Sequence, residues 1–323
     1  LGAKTKMKIG STKVNGKIFL APMADVTNLA FRMLCKKHGA ALTYSEMISA
    51  DAILHDNTRT DYLGLSCNEE KPFGIQLFGN SADTIAKASS IIEEKYAPDI
   101  IDINFGCPSN VLVKYGYGSA LLNSPEKIRE VVSNVCRKVD TPVTVKMRVL
   151  PDIKKTLNIA SIVEDAGASA ITVHGRTQAQ QYSGKADHEY TRNIKDELSI
   201  PVIANGDIVD GLSAKYVIDY TGCDALMIGR AAMGNPYIFS EISHFLHTGK
   251  QIRPDCTQRF EDFTEYVRLL KKYDIVKYVD LRMHAKWFTR GVRDGRHVRH
   301  AISSAKDTET IIRIMEKLFV KSY

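Results

Sequence analysis

The sequence predicts an α/β protein, a (β/α)8 barrel (TIM barrel) followed by a small C-terminal all-α helical domain. Three observations carry this prediction. Short runs rich in Ile and Val recur eight times, amphipathic segments separate them, and beyond about residue 240 the strand-like runs stop while helical periodicity continues.

The runs fall at residues 18–23, 41–45, 73–78, 100–104, 143–147, 170–173, 202–204 and 225–228. Helix signals lie between them. Ser81-Ala82-Asp83 opens one helix, with Ile85, Ala88, Ile91 and Ile92 on one face. Ser124-Pro125-Glu126 opens another, with proline at the first helical position and Ile128, Val131, Val132, Val135 and Val139 following at helical spacing. Eight such strands over about 240 residues fit a closed barrel better than an open doubly wound sheet. Residues 1–17 read as a short hairpin or arm under the barrel floor. Residues 1–240 form the expected barrel unit, Gln251-Ile252-Arg253-Pro254-Asp255 the linker, and residues 250–323 the helical unit, where Phe260, Phe263, Val267 and Leu270, then Ile311, Ile314, Met315 and Leu318, repeat at helical spacing.

Composition narrows the class. The chain of 323 residues is 44% hydrophobic and 25% charged, which is ordinary for a globular protein with a full core. No run of 18 uncharged apolar residues occurs, so no membrane span is expected. The N-terminal Leu1-Gly2-Ala3-Lys4-Thr5-Lys6 is polar and lacks an apolar secretion segment. The 6 cysteines include no C-x-x-C pair, which argues against a zinc site or disulfide framework and fits a reducing cytoplasm. Cys35 and Cys136 fall on apolar helix faces and read as core. Net charge is +7, and residues 240–323 hold 17 Lys+Arg against 11 Asp+Glu, leaving 27 against 26 elsewhere. A basic excess confined to the helical unit suits a polyanionic partner.

In a barrel of this kind chemistry sits at the C-terminal ends of the strands. Those ends carry Ala21-Pro22-Met23, Gln76, Asn104 followed by Cys107, Lys146 with Arg148, His174-Gly175-Arg176, Asn205-Gly206-Asp207 and Gly229-Arg230. The last two loops suit a phosphate: glycine lets backbone N–H groups approach, as at Gly206 and Gly229, and Arg230 adds charge. Lys146 and Arg148, two apart on a strand, share a side. A lysine facing a barrel interior needs an anionic partner, either a ligand such as the N1–C2=O edge of a reduced flavin or an acidic side chain. Cys107, on a loop beyond a buried strand, is either core filler or a proton donor.

This ordered set resembles the tRNA-dihydrouridine synthases, through Ala21-Pro22-Met23, Gln76, Asp102-Ile103-Asn104-Phe105-Gly106-Cys107-Pro108, Gly116-x-Gly118-Ser119-Ala120-Leu121-Leu122, Val145-Lys146-Met147-Arg148, Val173-His174-Gly175-Arg176-Thr177, Ala204-Asn205-Gly206-Asp207-Ile208 and Ile228-Gly229-Arg230. A weaker match continues through Arg282-x-His284-x-x-Trp287-Phe288. The resemblance implies a cytoplasmic, FMN-dependent enzyme that reduces the C5=C6 bond of particular tRNA uridines, with NADPH or NADH reloading the flavin. No obligate protein partner and no metal are expected, and a monomer is. Pro22, Met23 and Gln76 would line the flavin ring and Lys146 its N1/O2 edge, with His174 in contact. Asn205, Gly206, Asp207, Gly229 and Arg230 would hold the phosphate. Asn104, Arg148 and Arg176 would meet the substrate. Cys107 would be the proton donor, since a free thiol of pKa about 8.5 is mostly protonated at pH 7.

The family often has a basic pair after Cys-Pro; Ser109-Asn110-Val111 stands there, with Lys114 further on. Arg282, Lys286, Arg290 and Arg293, spaced four, four and three, would form one basic helix face for tRNA if the helix runs through Gly291, with Arg296 extending it. Two other readings stay open: a small-molecule flavin oxidoreductase of the dihydroorotate dehydrogenase type, which needs no basic appendage, and an RNA-binding barrel without catalysis.

Overall fold

The computed structural model describes residues 6–55 and 57–320, leaving aside the side chains of residues 59, 319 and 320. Residues 1–5 of the expected arm and 321–323 of the helical unit lie outside it. A hairpin of β1 (Lys6–Ile9) and β2 (Thr12–Asn15) comes first. Its Ile9 and Val14 are fully buried in one cluster with Phe19, Leu42, Tyr44 and Ile100. The hairpin thus plugs the floor of the barrel with apolar side chains, as expected of the N-terminal segment.

The barrel strands are β3 (Ile18–Leu20), β4 (Thr43–Ser49), β5 (Phe73–Phe78), β6 (Ile100–Phe105), β7 (Val143–Arg148), β8 (Ala170–His174), β9 (Val202–Asn205) and β10 (Ala225–Ile228). All neighbours are parallel, in the order β3-β10-β9-β8-β7-β6-β5-β4. The Leu20 amide donates to the Leu42 carbonyl at 2.9 Å and the Ala41 amide to the Ile18 carbonyl at 2.8 Å, which brings β3 and the start of β4 together at the seam. Strands buried on both faces explain the continuous apolar runs of the sequence.

Two strands differ from their expected bounds by more than two residues: β3 ends at Leu20, three residues before 23, and the other is β4. The second barrel strand runs to Ser49, four residues past 45, because its register shifts between Tyr44 and Met47. That bulge turns Ser45 and Glu46 into the protein, where polar residues had suggested an end. Helix starts follow the sequence closely: the Ser81 side chain accepts from the Thr84 amide to cap Ala82–Tyr96, and Pro125 opens Pro125–Lys138.

From Ile238 to Val320 the chain is helical, in segments Ile238–Thr248, Cys256–Lys272, Tyr278–Phe288, Gly295–Ser304 and Thr308–Val320. These helices share a core with the barrel: Phe263, Tyr266 and Leu281 pack in one cluster with Phe31, Leu34 and Ile228. The close approach is visible at Gly234 (φ +73°), where a Cβ would lie 2.3 Å from the Trp287 backbone. Only glycine lets the loop after β10 touch the end of Tyr278–Phe288.

The expected basic helix face is not formed. Tyr278–Phe288 ends before Arg290, Gly291 takes φ +74° and Asp294 φ +59°, and a new helix starts at Gly295. Arg282 and Lys286 lie on the first helix, Arg290 and Arg293 in the turn, and Arg296 on the second helix.

Candidate active site

A cavity of about 870 Å³ opens at the C-terminal ends of the barrel strands. Of the residues singled out from the sequence, Pro22, Met23, Gln76, Asn104, Cys107, Lys146, Arg148, His174, Asn205, Gly206, Asp207, Gly229, Arg230 and Arg290 all line it. Arg176, Lys114, Arg282, Lys286, Arg293 and Arg296 are not among the lining residues.

The loop after β6 is held from several sides. Asn104 Oδ1 accepts from the backbone amides of Gly106 at 2.9 Å and Cys107 at 2.8 Å. The Cys107 carbonyl accepts from Ser119 Oγ at 2.8 Å, and Gly118, at φ +58°, sits so near that a Cβ would be 2.9 Å from the Cys107 Cβ. Arg148 Nε donates to the Gly106 carbonyl at 2.9 Å and its Nη1 to the carbonyls of Thr177 and Gln181. Arg148 therefore ties the loop after β6 to the loop after β8. Cys107, half-buried, is fixed against the cavity wall.

Cations predominate around Lys146 and His174. Burial, then the neighbouring Arg148, pulls the Lys146 ammonium down to about 8, with Asp102 and Cys107 opposing. Among the described residues no carboxylate lies within ion-pair distance of Lys146. Burial and the cations Lys146, Arg148, Arg176 and Arg230 hold His174 far below the ordinary imidazole value, so it is neutral at physiological pH.

Arg176 takes a place other than the one expected. Arg176 is 2% exposed and donates to Asp207 Oδ2 at 2.7 Å and to the Gly184 carbonyl at 2.8 Å. Arg176 thus acts as a buried brace and does not reach the cavity. The Asp207 carboxylate also accepts from the Ala186 amide and lies 3.5 Å from Arg230 Nη2. It thus pairs with the guanidiniums of both Arg176 and Arg230 at the cavity wall. A Cβ at Gly229 would have only Ala21 Cβ and Met23 Sδ near it, at 3.8 and 3.9 Å, so the missing side chain keeps cavity space open.

Sequence reasoning missed Tyr182, Met47, Met233, Met283 and Trp287, which also line the cavity. Tyr182 lies under the guanidinium of Arg230 at 4.6 Å from the ring centroid, with Arg148 at 5.7 Å. Met283 and Trp287 come from the C-terminal helices, and only long-range packing places them here. Behind the loop carrying Met23, Glu46 accepts from the Asp25 amide at 2.7 Å. Burial raises Glu46 to about 7, helped by Asp25 and Asp280 and opposed by the Asp25 amide and by Arg32. A carboxyl raised in the folded state gives stability that is complete below its ordinary value and is lost as pH rises through about 7. Glu46→Gln should therefore be nearly neutral at pH 4 and stabilising by about 1–3 kcal/mol at pH 8. Urea titrations at the two pH values check this, and an equal effect at both would contradict it.

A thiol, a lysine ammonium and two glycine-bearing loops thus meet in one cavity at the strand ends of a (β/α)8 barrel. The chain belongs to the dihydrouridine synthase (Dus) family, whose model matches residues 19–321. It is 37% identical over 318 residues to tRNA-dihydrouridine synthase B of Shigella flexneri, covering 97% of this chain and 99% of that protein. Over 319 residues it is 35% identical to tRNA-dihydrouridine synthase B of Pasteurella multocida, covering 97% and 96%. Among solved structures, morphinone reductase in complex with tetrahydroNAD superposes with TM-score 0.54 at 12% identity, covering 80% of this chain and 94% of that one, a likeness of fold. No helix among the described residues is long and apolar enough to cross a membrane, and no group of acidic, His and Cys side chains there could hold a metal ion.

Proposed function

We propose that this protein reduces the C5=C6 bond of uridines in tRNA, using FMN held in the barrel cavity and NADPH or NADH as the source of electrons. The observation that supports it most directly is the meeting of Cys107, Asn104 and Lys146 in one cavity of about 870 Å³.

The lining suits a flavin. Ala21, Pro22, Met23 and Met227 offer an apolar wall to a flat ring, Lys146 a cation to its N1/O2 edge, and Arg230 with the Gly206 and Gly229 backbone a seat for the phosphate. A reduced flavin held there would supply hydride for uracil C6. The chain does the rest. Addition at C6 places negative charge on C5 and O4, and Cys107 Sγ delivers the proton to C5. With Oδ1 committed to two backbone amides and one Nδ2 hydrogen to Gln76 Oε1, Asn104 would offer its second Nδ2 hydrogen, which lies toward Met47 Sδ at 3.8 Å, to a uracil carbonyl. Neutral His174 contributes hydrogen bonding without adding to the charge.

A base in folded tRNA must be unstacked and turned into such a pocket. Barrel residues up to 240 would hold the flavin and the chemistry, and the helical unit from 250 would grip the RNA. Arg290 at the cavity rim, with Arg293 beside it in the same turn, would contact phosphates next to the flipped base. Replacing both with Ala should weaken tRNA binding and lower the slope of log K against log salt by about 1–2, leaving flavin reduction by NADPH unchanged. An unaltered slope would remove this turn from the interface.

The test of the whole reading is optical. Purified protein should show oxidised-flavin bands that bleach with NADPH under anaerobic conditions and recover on adding unmodified tRNA. Protein that stays colourless after incubation with FMN would overturn it.

A further inference from the structure

Beneath the cavity floor lies a buried carboxylate that the reaction as described does not use. Asp102 is fully buried, two residues before Asn104 on β6. Its Oδ1 accepts from Thr144 Oγ1 at 2.6 Å and its Oδ2 from Gln76 Nε2 at 2.7 Å. Gln76 Oε1 in turn accepts from Asn104 Nδ2 at 2.8 Å, and Asn104 Oδ1 accepts from the amides of Gly106 and Cys107. The chain of hydrogen bonds spans β5, β6 and β7 and ends at the thiol loop.

We propose that Asp102 is a positioning residue for the reduction: its carboxylate sets the direction of this hydrogen-bond chain and places a negative charge under Lys146. The proposal rests on the flavin reading of the cavity given above. A carboxylate only accepts and a backbone amide only donates, so the two ends together fix both carboxamides. Gln76 must turn Nε2 toward Asp102 and Oε1 toward Asn104. Asn104 must keep its amino group toward Gln76 and the cavity. Without an acceptor at position 102, a buried donor of Gln76 is left unsatisfied, and the carboxamide gains a reason to turn over and set its own N–H against that of Asn104.

Charge supports the geometry. Burial raises Asp102 to about 6, opposed by Thr144, Gln76 and Lys146, so it is ionised at neutral pH. The groups that face Lys146 are Asp102 and Cys107 from β6 and its loop, Arg148 on its own strand, and His174 on β8. Of these, Asp102 is the carboxylate, and it works against burial and Arg148 to keep the ammonium charged.

The experiment uses the full chain with Asp102→Asn, which keeps the shape and an acceptor, and Asp102→Leu, which keeps neither acceptor nor charge. The titration of Lys146 is followed by NMR of isotope-labelled lysine without added cofactor, its signal identified by its loss in Lys146→Arg. Uridine reduction on unmodified tRNA gives kcat and KM. In Asp102→Asn the Lys146 midpoint should fall by about 0.5–1 pH unit, and kcat should fall less than in Asp102→Leu. In Asp102→Leu kcat should fall about 10–100-fold with KM within about twofold of wild type. A midpoint unmoved in Asp102→Asn, or full kcat in Asp102→Leu, would overturn the proposal; should Asp102→Leu fail to fold, the near-isosteric Asp102→Asn decides alone. Wild-type protein that reduces no uridine would instead overturn the functional reading, and the Lys146 midpoint would still decide whether Asp102 sets that charge.

Discussion

Cys107→Ala is expected to retain its flavin and its reduction by NADPH while losing about 10²–10⁴-fold in uridine reduction, the range for a positioned acid. The structure makes the two halves separable. Position 107 contributes its backbone amide to Asn104 and its carbonyl to Ser119, and alanine preserves both. What alanine removes is the proton donor alone. Stopped-flow spectra separate the half-reactions: flavin reduction should match wild type, and reoxidation by tRNA should slow by the full factor. Near-normal reoxidation would remove the thiol from the proton transfer.

Arg32→Met should cost about 3–5 kcal/mol of stability, the range for leaving one member of a buried ion pair alone. Arg32 and Glu70 are both essentially buried, and Nε and Nη2 of the guanidinium reach the two carboxylate oxygens at 2.6 and 3.1 Å. Thr43 and Ser66 hydroxyls also donate to Glu70 at 2.8 Å. Arg32 further donates to the carbonyls of Thr27 and Leu65 and lies over the Phe73 ring, 4.6 Å from its centroid. With the guanidinium gone, Glu70 keeps its hydroxyl donors but loses its paired cation, leaving the Lys36 ammonium as the neighbouring positive charge. The double variant Arg32→Met/Glu70→Leu should recover much of the loss, because an apolar pair of similar volume replaces a buried ion pair at little cost. Chemical denaturation of wild type, Arg32→Met, Glu70→Leu and the double variant completes the cycle, and equal stability of Arg32→Met and the double variant would contradict it. Thr27 also exchanges hydrogen bonds with the backbone of Met23, so Arg32→Met is expected to loosen one cavity wall as well.

Much of this architecture was legible in the sequence, and the failures have physical reasons. A parallel barrel buries both faces of each strand, so the strands appear as apolar runs whose C-terminal halves carry the cavity-facing polar residues. Asn104, Lys146, His174 and Asn205 could be read off in that way. The same logic placed the end of the second barrel strand too early, because the bulge in β4 makes Ser45 and Glu46 interior residues. Spacing alone suggested a continuous basic helix through Arg282 and Arg293, but it does not reveal the backbone reversal at Gly291 and Asp294. Strand-end position marked Arg176 and Asp207 as site residues. It could not say that they bind each other at 2.7 Å. Trp287 and Met283 had no local signature for the cavity, since they reach it through the contact at Gly234.

The pairing of β3 with β10 also has a consequence for how the chain is made. Ile18 takes as its partner Leu226, so one edge of the first barrel strand must wait for more than 200 further residues before β10 leaves the ribosome, although its seam with the start of β4 can form early. At about 5–20 residues per second that interval is roughly 10–40 s, and the wall bearing Trp287 comes later still. Through that time the nascent chain carries two unpaired strand edges and an uncovered apolar interior. The hairpin of β1 and β2 is complete by Asn15, ahead of every barrel strand, and it holds the Ile9 and Val14 that pack into the barrel floor.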